Sequence, residues 1–259
     1  MKLITKDKLL FGLPIEINGM GTIYQPKLKD FINRDFDIQK FIRAFNIKAN
    51  LIFENGEDLK DFDVFIYQLS LKLPKDKLLI TELIESLKIL YKTEKVNLIM
   101  LDEKDIHTIC ISIEVIENNE SKVYYLNRDN YNNLANVVLV SLDLGNNTTD
   151  VELNEELTEI DLKIAQRRKE FEKKKAEREA KLNKEDKNNE ITLYDLVNYI
   201  IHVDNSQFNY QNILDLTIYQ IKNTFNMYRQ KENYSLFMKY KTSGQFKIDD
   251  NVNHWFFNN

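Results

Sequence analysis

The side chains best suited to metal or nucleophilic chemistry are few: His107, His202, His254 and Cys110. The histidines lie far apart, with no His-Glu-x-x-His and no cysteine pair, so the spacing assembles none of the donor sets that zinc takes. Cys110 reads as a small packed side chain. The acidic group Glu57, Asp58, Asp61 and Asp63 could hold a metal. At the start of a helix it is better explained by contact with the positive end of the helix dipole. Glu120-Ser121-Lys122, with Asp102 and Asp105 upstream, has the Glu-x-Lys form of metal-dependent nucleases, in which carboxylates hold Mg²⁺ and a lysine orients the attacking water. In a chain with 30% charged residues such a triplet is common, and its simpler reading is a polar hairpin turn. Gly19-Met20-Gly21 is a hairpin with two glycines and lacks the form of a phosphate cradle. Asn147-Thr148-Thr149 and Asn233-Tyr234-Ser235 match glycan acceptors, which count only after a secretory signal. These residues predict no catalytic group, no cofactor site and no metal site.

Composition narrows the remaining classes. The 43% hydrophobic content is enough for a core, and 259 residues allow one large domain or two smaller ones. A net charge of −5 and a pI near 5.4 argue against a general nucleic-acid binder. One cysteine forms no intrachain disulfide, and Met1 to Lys8 lacks an apolar core of signal-peptide length. No apolar run approaches the roughly 20 residues of a membrane helix. A cytoplasmic location is therefore expected. The chain has 6 Gly and 3 Pro, which predicts many helices and few tight loops.

The run from Val151 to Glu190 divides the chain. Leu153, Leu157, Ile160 and Ile164 share a helical stripe that Phe171 extends by a heptad. Beyond it, Glu172 to Lys181 is made of strong helix formers with opposite charges at helical spacing, such as Glu170 with Lys174 and Glu177 with Lys181. Acidic and basic residues are about equally dense, so the segment reads as a solvated spacer helix. A basic nucleic-acid arm or a coiled-coil partner is the alternative.

Before the spacer, Leu13 to Ile17, Asn18-Gly19 and Thr22 to Tyr24 predict a β-hairpin that Pro26 ends. Lys27 to Asn33, Asp37 to Asn46 and Glu57 to Leu69 predict short helices. Pro74 and Asp76 open a clearer one, with a stripe of Leu79, Leu83, Leu87 and Leu90. The period then becomes two. Val96 to Leu101 reads as a strand, and in Thr108 to Ile116 the residues Ile109, Ile111, Ile113 and Val115 face a core. Glu117 to Lys122 turns the chain and Val123 to Leu126 pairs back. Asn127, Asp129 or Asn130 caps a helix whose inner face is Leu134, Ala135, Val138, Leu139 and Leu142.

After the spacer, Thr192 and Asp195 resemble a capping box and start a helix that His202 to Ser206 breaks. A longer helix is expected from Asn212 to about Lys231, and a shorter one around Tyr234 to Lys241. The tail carrying Trp255 is expected to dock on these helices, because burying such a side chain is worth roughly 2 to 3 kcal/mol. The fold class expected is α+β, predominantly helical: an N-terminal domain over 1–150 with two β-hairpins and packed helices, a spacer over 151–190, and a small helical bundle over 191–259.

Asn212-Ile213-Leu214-Asp215-Leu216-Thr217-Ile218-Tyr219-Gln220, followed by Phe225, Tyr228 and Trp255, resembles a signature in tail proteins of phages of low-GC Gram-positive bacteria. Gly12 to Ile17 with Tyr24-Gln25-Pro26, and Leu126 to Tyr131, are similar to other parts of the same proteins. The chain resembles tail assembly chaperone-like proteins. The resemblance implies a non-enzymatic protein of the host cytoplasm that assists tail assembly by binding tail components, namely the tape-measure or tail-tube protein. It carries over no catalytic residue and leaves a homo-oligomer open. A chaperone for a long helical partner needs apolar and aromatic positions on a helical face. Tyr219, Phe225, Met227, Tyr228 and Trp255 are the partner-binding candidates, with the core of a helical bundle as their other reading. A structural part of the tail or baseplate is the alternative function, and a nuclease using Asp105, Glu120 and Lys122 a weaker one.

Overall fold

A computed structural model describes residues 5–53, 59–70, 78–102, 105, 108–117, 119–144, 192–204 and 206–243. The expected spacer, the acidic residues Glu57 and Asp58, His107, His254, Asp76 and the tail with Trp255 lie outside them. The fold is α+β and mostly helical. Of the described residues, 5–144 and 197–243 pack as one compact unit, and 192–196 belong to a second.

The chain begins with α1 (Lys6–Leu10), followed by the hairpin β1 (Ile15–Ile17) and β2 (Gly21–Ile23), antiparallel with Ile17 opposite Gly21. Three residues, Asn18 to Met20, make the turn, and Met20 is fully buried. Gly21 has φ +72°, and a Cβ there would stand 2.5 Å from the ring of Tyr124. Only glycine allows this approach. The hairpin rests on the end of α6 (Leu79–Tyr91): the Tyr91 hydroxyl donates to Met20 O at 2.8 Å, and Tyr24 N donates to Leu90 O at 2.8 Å.

Between them run α2 (Leu28–Ile32), α3 (Ile38–Phe45), α4 (Ala49–Ile52) and α5 (Asp63–Ser70). Asp37 caps α3 through Gln39 N at 2.9 Å. The acidic pair that is described here divides its work. Asp61 accepts from Ala49 N at 2.8 Å, capping α4, while Asp63 accepts from Lys60 N at the start of its own helix. Asp63 is buried and paired with Arg128 at 3.0 Å. The stripe expected on α6 is buried at Leu83, Leu87 and Leu90, and its Glu82 is buried against Arg43 of α3.

The second sheet has the order β3-β4-β5, all antiparallel: β3 (Val96–Met100), β4 (Ile109–Glu117) and β5 (Glu120–Leu126). Ile109, Ile111, Ile113 and Val115 are buried as the alternation requires, and so is Cys110. The expected polar turn is tighter than Glu117 to Lys122, because Glu117 pairs with Glu120 and Asn119 takes φ +66°. A junction then leads into α7 (Tyr131–Ser141). Asn127 Oδ1 accepts from Asp129 N, Asn130 Oδ1 accepts from Asn127 N, and Asn130 Nδ2 donates to Tyr125 O. Tyr131 follows, edge-on to Phe65 with centroids 5.4 Å apart, its hydroxyl donating to Ala44 O at 2.7 Å.

Beyond residue 191 come α8 (Leu193–His202), a 3-10 turn (Asn212–Asp215) and α9 (Ile218–Ser243). Two helices expected over 212–231 and 234–241 are thus one helix of 26 residues that starts later. The late start follows from the short-range bonds of Asn209 and Thr217 described below. The continuity follows from Lys231-Glu232-Asn233, which contains neither Gly nor Pro and so has nothing to stop a helix. The part from Val197 onward packs with the N-terminal residues as one unit.

Candidate interaction helix

Local hydrogen bonding places α9. Asn209 Oδ1 accepts from Gln211 N and Asn212 N, and Asn209 N donates to Asn212 Oδ1 at 2.7 Å, which satisfies the backbone at the start of the 3-10 turn. Thr217 and Gln220 then form a reciprocal capping box. Gln220 N donates to Thr217 Oγ1 at 3.2 Å, and Thr217 N donates to Gln220 Oε1 at 2.8 Å. This Thr-x-x-Gln signal stands plainly in the sequence and marks the true helix start at Ile218, six residues after the expected one.

The same segment fastens itself to three N-terminal elements. The Gln220 side-chain amide donates to Leu10 O at 2.8 Å, at the end of α1. Lys27 and Thr217 form a β-bridge flanked by Leu28 N to Leu216 O at 3.0 Å and Ile218 N to Pro26 O at 3.2 Å. Asp215 accepts from Lys29 at 2.6 Å, and this lysine beside it holds the carboxyl below its usual range. Lys222 donates to Leu142 O at 2.8 Å just beyond α7, and its partial burial lowers the ammonium pKa. Ile213, Ile218 and Ile221 are buried beneath these contacts.

Farther along, α8 lies against α9. The rings of Tyr199 and Phe225 meet edge to face with centroids 5.0 Å apart, and the Tyr199 hydroxyl donates to Glu232 two turns on. Burial, with Glu232 as the second cause, pushes the Tyr199 phenol up to about 12. At the other end of α8, Thr192 and Asp195 form the expected reciprocal cap, and the Thr192 hydroxyl holds the Asp195 carboxyl below its usual range. His202 Nε2 lies 3.1 Å from the Tyr210 hydroxyl.

The partner-binding candidates therefore sit as follows. Tyr219, Phe225, Met227 and Tyr228 are all half-buried, with Phe225 engaged by Tyr199. Trp255 is outside the described residues. Exposed large side chains occur about two to three turns beyond Tyr228, at Leu236 (48% exposed), Met238 (38%) and Tyr240 (50%). Leu236 and Tyr240 are four apart and share a face, with Met238 on the other side. Phe237 stands between Leu236 and Met238, so spacing alone does not single these three out; the available signal was the cluster Leu236-Phe237-Met238 within a stretch rich in charge.

The other chemical candidates separate. Asp105 precedes β4 while Glu120 and Lys122 follow its far end, a span of about 25 Å at roughly 3.4 Å per residue. Lys122 donates to Glu117 at 3.0 Å, and that carboxylate also accepts from the Tyr124 hydroxyl at 3.0 Å. Among the described residues no group of three or more His, Cys, Asp or Glu is placed to hold a metal. A cleft of about 720 Å³ runs between β2, the end of α6 and the end of β4. Its charges are matched in place: Lys95 with Glu114 at 2.5 Å, Glu94 with Arg34, and Lys92 over the Tyr24 ring at 4.3 Å. Among the described residues no helix is long and apolar enough to cross a membrane.

No curated protein and no solved structure matches this chain. Residues 183–258, less than a third of the chain, match a family described as YomV second domain, a phage-associated domain family. The matched stretch contains α8, the 3-10 turn and α9, so the segment that carries Leu236, Met238 and Tyr240 lies within it.

Proposed function

We propose that this is a non-enzymatic phage protein that assists tail assembly by binding a tail component, the tape-measure or the tail-tube protein, through the distal half of α9. The observation that carries this reading is the exposure of Leu236, Met238 and Tyr240 on a helix that is fastened at its other end. Large apolar groups held out on a rigid helix suit a helix-in-groove contact with a helical partner. Similarity of this segment to a phage-associated domain family supports the setting. The test is pairwise co-expression with the tape-measure and tail-tube proteins of the same phage, followed by mass spectrometry of purified particles. The reading expects a stable pair with one of them and no copies in the particle. Stoichiometric copies in the particle would replace it with the structural-component reading.

A further inference from the structure

One side of α9 is covered near its base and, among the described residues, half-exposed at its far end. Phe225 meets Tyr199 of α8 edge to face, and Glu232, two turns on, accepts from the Tyr199 hydroxyl. Leu236 and Tyr240 follow Glu232 at steps of four, so they continue that same side of the helix. They are 48% and 50% exposed. This stretch is also basic: from 229 to 243 it carries Arg229, Lys231, Lys239 and Lys241 against the single carboxylate of Glu232, which already holds Tyr199.

The domain match takes in the stretches on both sides of these helices, and only one has the chemistry to cover such a stripe. Residues 183–191 read Asn-Lys-Glu-Asp-Lys-Asn-Asn-Glu-Ile, with one apolar side chain, whereas 244–258 hold Phe246, Ile248, Val252, Trp255, Phe256 and Phe257. Asp249 and Asp250 outnumber Lys247 there, so its charge is opposite in sign to that of distal α9. We propose that residues 246–257 occupy the stripe of Leu236 and Tyr240, folded back on the helix they follow, with their carboxylates among its basic side chains. The connection suits this. Gly244 comes directly after the last helical residue, and glycine is the residue that lets a chain leave a helix through a left-handed backbone and reverse. Returning from Ser243 to Leu236 covers about 10 Å at roughly 1.5 Å per residue, and the chain from Gly244 to Trp255 spans up to about 36 Å. On the reading that this face binds a tail component, the segment is a cover that the partner must displace, and it lowers the apparent affinity by the fraction of molecules it keeps closed.

The test uses the full chain, in which Trp255 is the single tryptophan, so its emission reports this segment alone. Relative to the urea-unfolded protein it should be blue-shifted and protected from acrylamide, equally at every protein concentration. Leu236→Asp/Tyr240→Asp, with the unfolding midpoint followed alongside, should lose that blue shift. Phe256→Ser/Phe257→Ser should lose it too while leaving the helix untouched, and Ser235→Asp, outside the stripe, should keep it. Exposed Trp255 in the unmodified chain, protection that survives either double variant, or protection that fades on dilution, the mark of a second copy as occupant, would each overturn the docking. The cover is read from affinity. Phe256→Ser/Phe257→Ser should bind the tape-measure or tail-tube protein about tenfold more tightly than the unmodified chain, as expected when the closed form holds about nine-tenths of the molecules. Equal or weaker binding would overturn the cover. Binding of neither partner by either chain would overturn the tail-assembly reading and the cover with it, while the fluorescence result decides the docking separately.

Discussion

The side chain of Gln220 bonds in two directions at once: its carbonyl oxygen accepts from Thr217 N at 2.8 Å, and its amide donates to Leu10 O at 2.8 Å, 210 residues away in sequence. One residue thus starts α9 and ties it to α1. Gln220→Ala loses both bonds and should lower stability by about 1 to 2 kcal/mol in urea unfolding. Gln220→Glu keeps the acceptor for Thr217 and loses the donor to Leu10, so it should fall between the two.

Gly21 combines a left-handed backbone with the ring of Tyr124 where its side chain would be. Gly21→Ala should cost about 2 to 4 kcal/mol, the sum of backbone strain and overpacking. Adding Tyr124→Ser should return the overpacking share and leave the backbone share. A double-mutant cycle followed by thermal unfolding separates them.

The carboxyl groups of Asp215, Glu94, Glu114, Glu117, Asp129 and Asp195 are all held below their usual range, each chiefly by a hydrogen bond from a neighbouring Lys, Arg or Thr side chain. A folded pKa below the unfolded one gives stability that is present above the unfolded value and is lost as pH falls through the folded value. Denaturant midpoints should therefore hold from pH 7 to about 5 and decline below about 4. At the alkaline end the sign reverses for Tyr91, Tyr131 and Tyr199, whose phenols are raised mainly by burial. Their contribution is present below about pH 10 and is lost as pH rises through the folded values. Lys29→Met, which removes the nearer of the two lysines beside Asp215 and leaves Lys27 at 3.9 Å, should make the acid decline shallower by its own small share.

Phe225 and Leu236 lie on the same helix and should respond differently. Phe225→Ala removes the edge-to-face contact with Tyr199 and should cost about 1 to 3 kcal/mol. Leu236→Ala, at a side chain 48% exposed, should stay within about 0.5 kcal/mol.

Much of this fold is legible in the residues, because burial and period coincide there. The alternation from Ile109 to Val115 and the leucine stripe of α6 face the core as their spacing demands. The cap of Thr192 by Asp195 is also written locally. What the sequence hides is long-range. No pattern joins Gln220 to Leu10, Lys222 to Leu142 O or Tyr124 to Gly21, because these pairs are set by how finished elements meet. The aromatic residues of α9 show the same limit at the candidate site. Period alone makes Phe225 and Leu236 alike, and only the presence of Tyr199 distinguishes a packed ring from an exposed side chain.

The measurement closest to the central claim is binding of the tape-measure and tail-tube proteins by the unmodified chain and by a Leu236→Asp/Met238→Asp variant, with both proteins' unfolding midpoints measured alongside. The account predicts that one of the two partners binds the unmodified chain, and that the variant keeps its midpoint while losing that binding by at least about a hundredfold, as expected for two hot-spot side chains. Unchanged binding by the stably folded variant, or binding of neither partner by the unmodified chain, would contradict it.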